Sequence, residues 1–355
     1  MYSIEQVGGM LSKGEAALVL SPQNRRYLTG FPSSAGCVLV TSEKSYFLTD
    51  FRYMEAASLR IRHMECIEYK RMSESINQLL GKHDIKRIYI ESDYMTIDNL
   101  SMWQKSLPNQ TIITEPKLNY TLQEMRAIKS HDELDKIRQA QQLTEYGFDY
   151  ILDFIKPGKT EREIALELEF AIRKQGADGA SFDFIVVSGV NSSMPHGVPT
   201  DKPVENGDFV TMDFGAIVDG WHSDMTRTVA VGSVSEEQKK VYDLVLNAQL
   251  TALSVLKAGI TGQEADSAAR DLIDKAGYGH FFGHGTGHGV GLDIHEDPRL
   301  STNASDVFLK SGMVVTVEPG IYLPGKFGVR IEDMAVITQN GYENLTNAAK
   351  ELIII

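Results

Sequence analysis

Apolar residues in the first third of the chain come in short runs separated by polar breaks: AALVL (16–20), CVLVT (37–41), SYFLTD (45–50), RIYIES (87–92) and TIITE (111–115). Their content of Val, Ile, Thr and Tyr predicts strands. CVLVT-SEK-SYFLTD predicts a hairpin. Between the strands, FRYMEAASLRIR and RMSESINQLLGK carry helical spacing. The pattern changes near Thr121. From there a long helical region runs to about 155 and breaks at KSHDE, where Ser130 can cap a new helix with Glu133 at its third position. KTEREIALELEFAIRKQGA (159–177) predicts an amphipathic helix capped by Thr160 and ended by Gly176, and two further helices follow at about 235–257 and 263–276. The expected organisation is a smaller mixed α/β domain over 1–120 and a larger α+β domain over 121–355.

Composition narrows the partners. A formal net charge of −13 lacks the basic footprint of a nucleic-acid binder. No run approaches the length of a membrane span, and the first twenty residues lack the pattern of a secretory signal. The chain therefore reads as soluble and cytoplasmic, with no nucleic-acid or membrane partner. Its two cysteines are too few for a disulfide framework.

Within the second domain one pattern occurs twice. VTMDFGA (210–216) and VTVEPGI (315–321) share V-T-x-acid-x-G, and each is followed by a strand bearing another acid, in SDMTRTVAV and RIEDMAVI. Two similar hairpins with one carboxylate per strand imply a duplicated half-domain and a site shared between the halves. If each turn is symmetric, Asp213 faces Asp224 and Glu318 faces Glu332, with Cβ atoms about 4.5–5.5 Å apart. A single acid of this kind is usually solvated or paired with an arginine such as Arg227 or Arg330. Two matched pairs among apolar residues need positive charge, and divalent cations that share carboxylates supply it.

Six of the nine histidines fall between 196 and 295. GHGTGHGVGLDIHE (283–296) has neither a G-x-G-x-x-G nor a phosphate-loop lysine, so its glycines are read as allowing close backbone approach. In an extended backbone His284 and His288 share a side and His295 points to the other. One imidazole then serves a metal, and the rest face substrate or support the ligands.

Together, MDFGAIVDGWHSDMTRT, GHGTGHGVGLDIHE, VTVEPGIY and VRIEDMAVI closely resemble the metal-dependent Xaa-Pro peptidases, aminopeptidase P and prolidase, of the pita-bread superfamily. NRRYLTGFPSSAG and TDFRY resemble the N-terminal domain of that group, so the resemblance spans the chain. It implies a pita-bread catalytic domain and two divalent metal ions, with manganese favoured and cobalt or zinc able to substitute. The implied ligands are Asp213, Asp224, His288, Glu318 and Glu332, with Asp224 and Glu332 bridging. His196 and His295 resemble the histidines that contact the scissile bond, and His284 a neighbouring pocket histidine. Glu318 would shuttle the proton, and Arg330 would orient carboxylates. Phe182 and Ile294 are candidates for the proline pocket, and Arg299 for binding a dipeptide's carboxylate. The implied reaction is hydrolysis of the bond before proline, in peptides with proline second, by a metal-bridging hydroxide in a homodimeric enzyme.

Rival readings are weaker on these residues. Methionyl aminopeptidase shares the five ligands but typically lacks the leading domain. Creatinase lacks the ligands, and a non-catalytic peptide-binding homologue would have lost ligands or flanking histidines. Between prolidase, restricted to dipeptides, and aminopeptidase P, only Arg299 bears on the choice, and it reads equally well as a structural arginine.

Overall fold

The computed structural model describes residues 4–355. The chain divides into two units, Met1–Arg126 and Ala127–Ile355. In the first, the short runs form a six-stranded mixed sheet in the spatial order Glu65–Glu68, Ser45–Thr49, Cys37–Thr41, Glu15–Val19, Arg87–Ile90, Thr111–Ile113. Ala16 and Leu18 enter one apolar cluster while Ala17 and Val19 enter another, so both faces are covered. That is why these strands read as continuous apolar runs. Helix Met72–Lys82 covers one face through Ile76, Leu79 and Leu80. Helices Pro22–Thr29 and Phe51–Arg60 cover the other through Leu28 and Ala57.

The second unit repeats one order of elements: two helices, a strand, then a long hairpin. In its first half these are His131–Leu152, Glu161–Lys174, Ile185–Ser188, and the hairpin of Phe209–Phe214 with Met225–Ala230. In its second half they are Glu236–Val255, Gly262–Lys275, Gly287–Gly289, and the hairpin of Val314–Val317 with Asp333–Ile337. All four helices begin on capping sequences whose third residue reaches back to the cap amide. The bonds are Ser130 to Glu133 at 2.8 Å, Thr160 to Glu163 at 2.8 Å, Ser235 to Gln238 at 2.9 Å and Thr261 to Glu264 at 2.7 Å.

Each hairpin is interrupted partway and resumes as a short ladder at its tip. Ala216–Val218 pairs with Trp221–His222 in the first, and Gly320–Leu323 with Phe327–Arg330 in the second. The two hairpins are stitched together. The Glu332 amide donates to the Thr226 carbonyl at 3.1 Å, and the Thr228 hydroxyl donates to the Arg330 carbonyl at 3.0 Å. Beneath them the buried Arg227 guanidinium donates to the carbonyls of Thr226, Glu332, Ala348 and Ala349 and to Asp333 Oδ1. Burial opposes ionisation of Asp333, but Arg227 and Lys350 hold its carboxyl below the usual range. Among the described residues, no helix is long and apolar enough to cross a membrane.

Candidate metal centre

The hairpin interruptions are where the acids sit. Asp213 lies near the end of its strand, while Asp224, Glu318 and Glu332 immediately flank ladder ends. His288 comes from the strand beside Val314–Val317. Its Nε2 is 3.3 Å from Glu318 Oε1 and 3.6 Å from Asp224 Oδ2. One ligand atom each from Asp224, His288 and Glu332 lies within 4.8 Å of the others, and all three residues are buried. His288 Nδ1 lies 3.0 Å from the Gly289 carbonyl. A carbonyl can only accept, so the proton is on Nδ1 and the Nε2 lone pair faces the carboxylates.

Hairpin register explains the acid placement and corrects one expectation. The tip turn of the first hairpin is Asp219–Gly220, both with positive φ. This two-residue turn aligns Asp213 with Thr226, not with Asp224. Asp224 lies two residues back on the same face, so the first pair is diagonal. In the second hairpin, Val317 pairs with Asp333 and Gly320 with Arg330, which brings Glu318 opposite Glu332 at the interruption, as expected.

Neighbouring groups hold the outer oxygens of these acids. Arg330 donates to Asp213 Oδ2 at 2.7 Å, and Thr226 donates to Glu332 Oε2 at 2.7 Å. The other oxygens, Asp213 Oδ1 and Glu332 Oε1, are buried with no hydrogen-bond partner. Burial pushes Asp224 and Glu332 up from the carboxylate range, and the neighbouring carboxylates push the same way. Burial takes Glu318 up to about 8 and His288 down to about 3. Orphaned inward oxygens, crowded carboxylates and one neutral imidazole form a donor set that fits divalent cations.

Around these groups is a cavity of about 660 Å³. Its walls include the five donors, His196, His284, His295, Phe182, Ile294, Arg299 and Arg330. The placement of His295 departs from the extended-strand expectation. The strand bearing His288 spans only Gly287–Gly289, and the chain turns back to return as Glu296–Leu300. His295 therefore lies edge-on to His288, with ring centroids 4.4 Å apart. Both nitrogens of His284 are engaged: Nδ1 donates to the Gly285 carbonyl at 2.8 Å, and Nε2 accepts from the Tyr322 hydroxyl at 2.9 Å. Tyr322 in turn accepts from Arg330 at 2.9 Å. Nothing in the one-dimensional pattern marks Tyr322, which reads as an ordinary strand aromatic.

Comparison with known proteins gives the family to which this pair of similar hairpins, with acids at their seam, belongs. Residues 135–339 match the model of metallopeptidase family M24, and residues 12–128 match the creatinase/prolidase N-terminal domain. A Xaa-Pro dipeptidase of Pyrococcus horikoshii is 39% identical over 96% of this chain and 94% of its own length. The structure of a Xaa-Pro dipeptidase from Bacillus anthracis superposes with a TM-score of 0.95 at 41% identity, covering 99% of each chain. That of an X-Pro aminopeptidase from Thermotoga maritima gives 0.91 at 35%, covering 99% of this chain and 100% of the other. The chain belongs to metallopeptidase family M24, with the creatinase/prolidase N-terminal domain preceding the peptidase domain.

Proposed function

We propose that this protein is a Xaa-Pro exopeptidase in which Asp213, Asp224, His288, Glu318 and Glu332 hold two divalent cations, with manganese the best match. The observation that supports the reading is the cluster of Asp224, His288 and Glu332 ligand atoms in a cavity also lined by Asp213 and Glu318, with Asp213 Oδ1 and Glu332 Oε1 unpartnered. Bound there, the cations would supply Lewis acidity toward the carbonyl and acidify water near neutral pH. His196 and His295, both exposed to the cavity, stabilise the charge that develops on the carbonyl oxygen. Glu318 Oε1 accepts from Thr316 at 3.3 Å, leaving Oε2 to take a proton and return it to the leaving nitrogen. Phe182 and Ile294 form an apolar wall for the proline ring, and Arg299 offers a guanidinium for a terminal carboxylate.

One experiment tests the reading at each level. The protein is prepared without chelator, dialysed against manganese and analysed for metal. It is then offered a Xaa-Pro dipeptide, a tripeptide with proline second, and a Met-Ala peptide. Bound metal with cleavage before proline supports it; no bound metal, or cleavage of the Met-Ala peptide alone, overturns it. Cleavage of the dipeptide alone identifies a prolidase, and tripeptide cleavage an aminopeptidase P.

A further inference from the structure

Glu161 is the first residue of helix Glu161–Lys174, and its side chain is fully buried. Its carboxylate accepts from five donors. Oε1 takes the Ser188 amide at 2.6 Å and the Ser188 hydroxyl at 3.0 Å, while Oε2 takes the Thr200 amide at 3.0 Å and the Thr200 hydroxyl at 2.6 Å. The Asn191 side-chain amide lies between them, at 3.1 and 3.2 Å. Lys202 is bound to Ser188 Oγ and Asp208, so hydrogen bonds and the helix N-terminus are what keep this buried charge tolerable. Ser188 and Thr200 are the two ends of the loop that carries His196 into the cavity. Among the described residues, no hydrogen bond holds the His196 imidazole itself. The position of that ring is therefore inherited from the loop backbone.

The other half shows that the helix does not need this acid. There the first helical residue is Gly262, where a Cβ would lie 2.1 Å from the Arg299 carbonyl oxygen. The chain after His288 packs directly on the helix end, with Gly262 donating to Val307 and Gln263 to Ala304. Only the first half places a carboxylate at this position, and it spends its oxygens on one loop, at both ends and at Asn191 between them.

We infer that Glu161 is a positioning residue that fixes His196 for the hydrolysis proposed above, an inference that rests on that reading. Glu161→Gln puts an amide donor against the donors of Thr200 or Ser188. The expected result is a fall in kcat of about 10- to 100-fold on a Xaa-Pro peptide, with KM and metal content little changed. In a His196→Ala background the same substitution is expected to cost nothing further. Amide hydrogen exchange is expected to speed up across 189–199 and stay unchanged in the hairpins. Thr200→Val, a milder change, is expected to move all these readouts less in the same direction. Equal kcat losses in both backgrounds, or unchanged exchange in the loop, would overturn the assignment. A wild-type chain inactive on Xaa-Pro peptides would remove the reaction for which Glu161 would position His196, while exchange would still report whether the carboxylate anchors the loop.

Discussion

The two halves of the M24 unit share an order of elements and a V-T-x-acid-x-G strand, yet they contribute unequally. In the first half the strand beside the hairpin, Ile185–Ser188, carries no acid or histidine; in the second the equivalent Gly287–Gly289 carries His288. The shared glycine also differs in use. A Cβ at Gly215 would lie 1.9 Å from the Ser223 carbonyl, whereas at Gly320 it would meet the Tyr322 ring. Acids in the first half are diagonal and those in the second opposed. The halves thus share a framework, and local turns and close contacts make them complementary.

Complementarity can be broken most severely at Asp224 and Glu332, one from each half. Asp224→Asn and Glu332→Gln are expected to lower kcat/KM alike, by about 10⁴-fold or roughly 5 kcal/mol, in steady-state assays with excess manganese. A large difference between them would show that one half dominates. Next is Arg227→Met, which leaves Asp333 buried without its guanidinium. Urea unfolding is expected to show a loss of about 3–4 kcal/mol, because both hairpins and the segment at 348–349 lose a common anchor.

Acid titration of a His284 variant examines a residue of the second half. Burial, with Arg330 nearby, pushes His284 down to about 4, so the folded chain resists protonation that the unfolded chain accepts at its ordinary pKa near 6.5. Its effect on stability is absent above pH 6.5 and grows as pH falls, reaching about 3 kcal/mol of destabilisation by pH 4. His284→Gln is expected to flatten that dependence in urea titrations across this window. The smallest expected effect concerns the link from the second hairpin to the first. Arg330→Lys keeps the charge but loses the fork that reaches Asp213, Thr226, Tyr322 and the Pro195 carbonyl. A fall in kcat of about 10- to 100-fold is expected, with the folded state retained by circular dichroism.

Much of the fold was readable because burial and spacing agree. The N-terminal strands are covered on both faces, and two helices announce themselves by the caps at Ser130 and Thr160. Helix Pro22–Thr29 is not legible because Gln, Asn and two Arg dilute its apolar stripe, nor is strand Glu65–Glu68, because an edge strand with acids at both ends lacks a long apolar run. In the site, residue types were legible and so was the facing of Glu318 and Glu332, but the rest of the facing was not. The diagonal acid pair depends on a turn at Asp219–Gly220, and the meeting of His295 with His288 depends on a chain reversal that a periodicity argument treats as straight. Glu161 is unmarked for another reason: an acid in the first turn of a helix ordinarily means only a favourable dipole and solvent.

The seam between the hairpins has a further consequence on the proposed reading. Carboxylates from both halves converge where the Glu332 amide meets the Thr226 carbonyl, so a cation held there would oppose the mutual repulsion that drives the halves apart. Metal supply would then govern the lifetime of the folded chain as well as its turnover, and scarcity would be felt first as susceptibility to proteolysis.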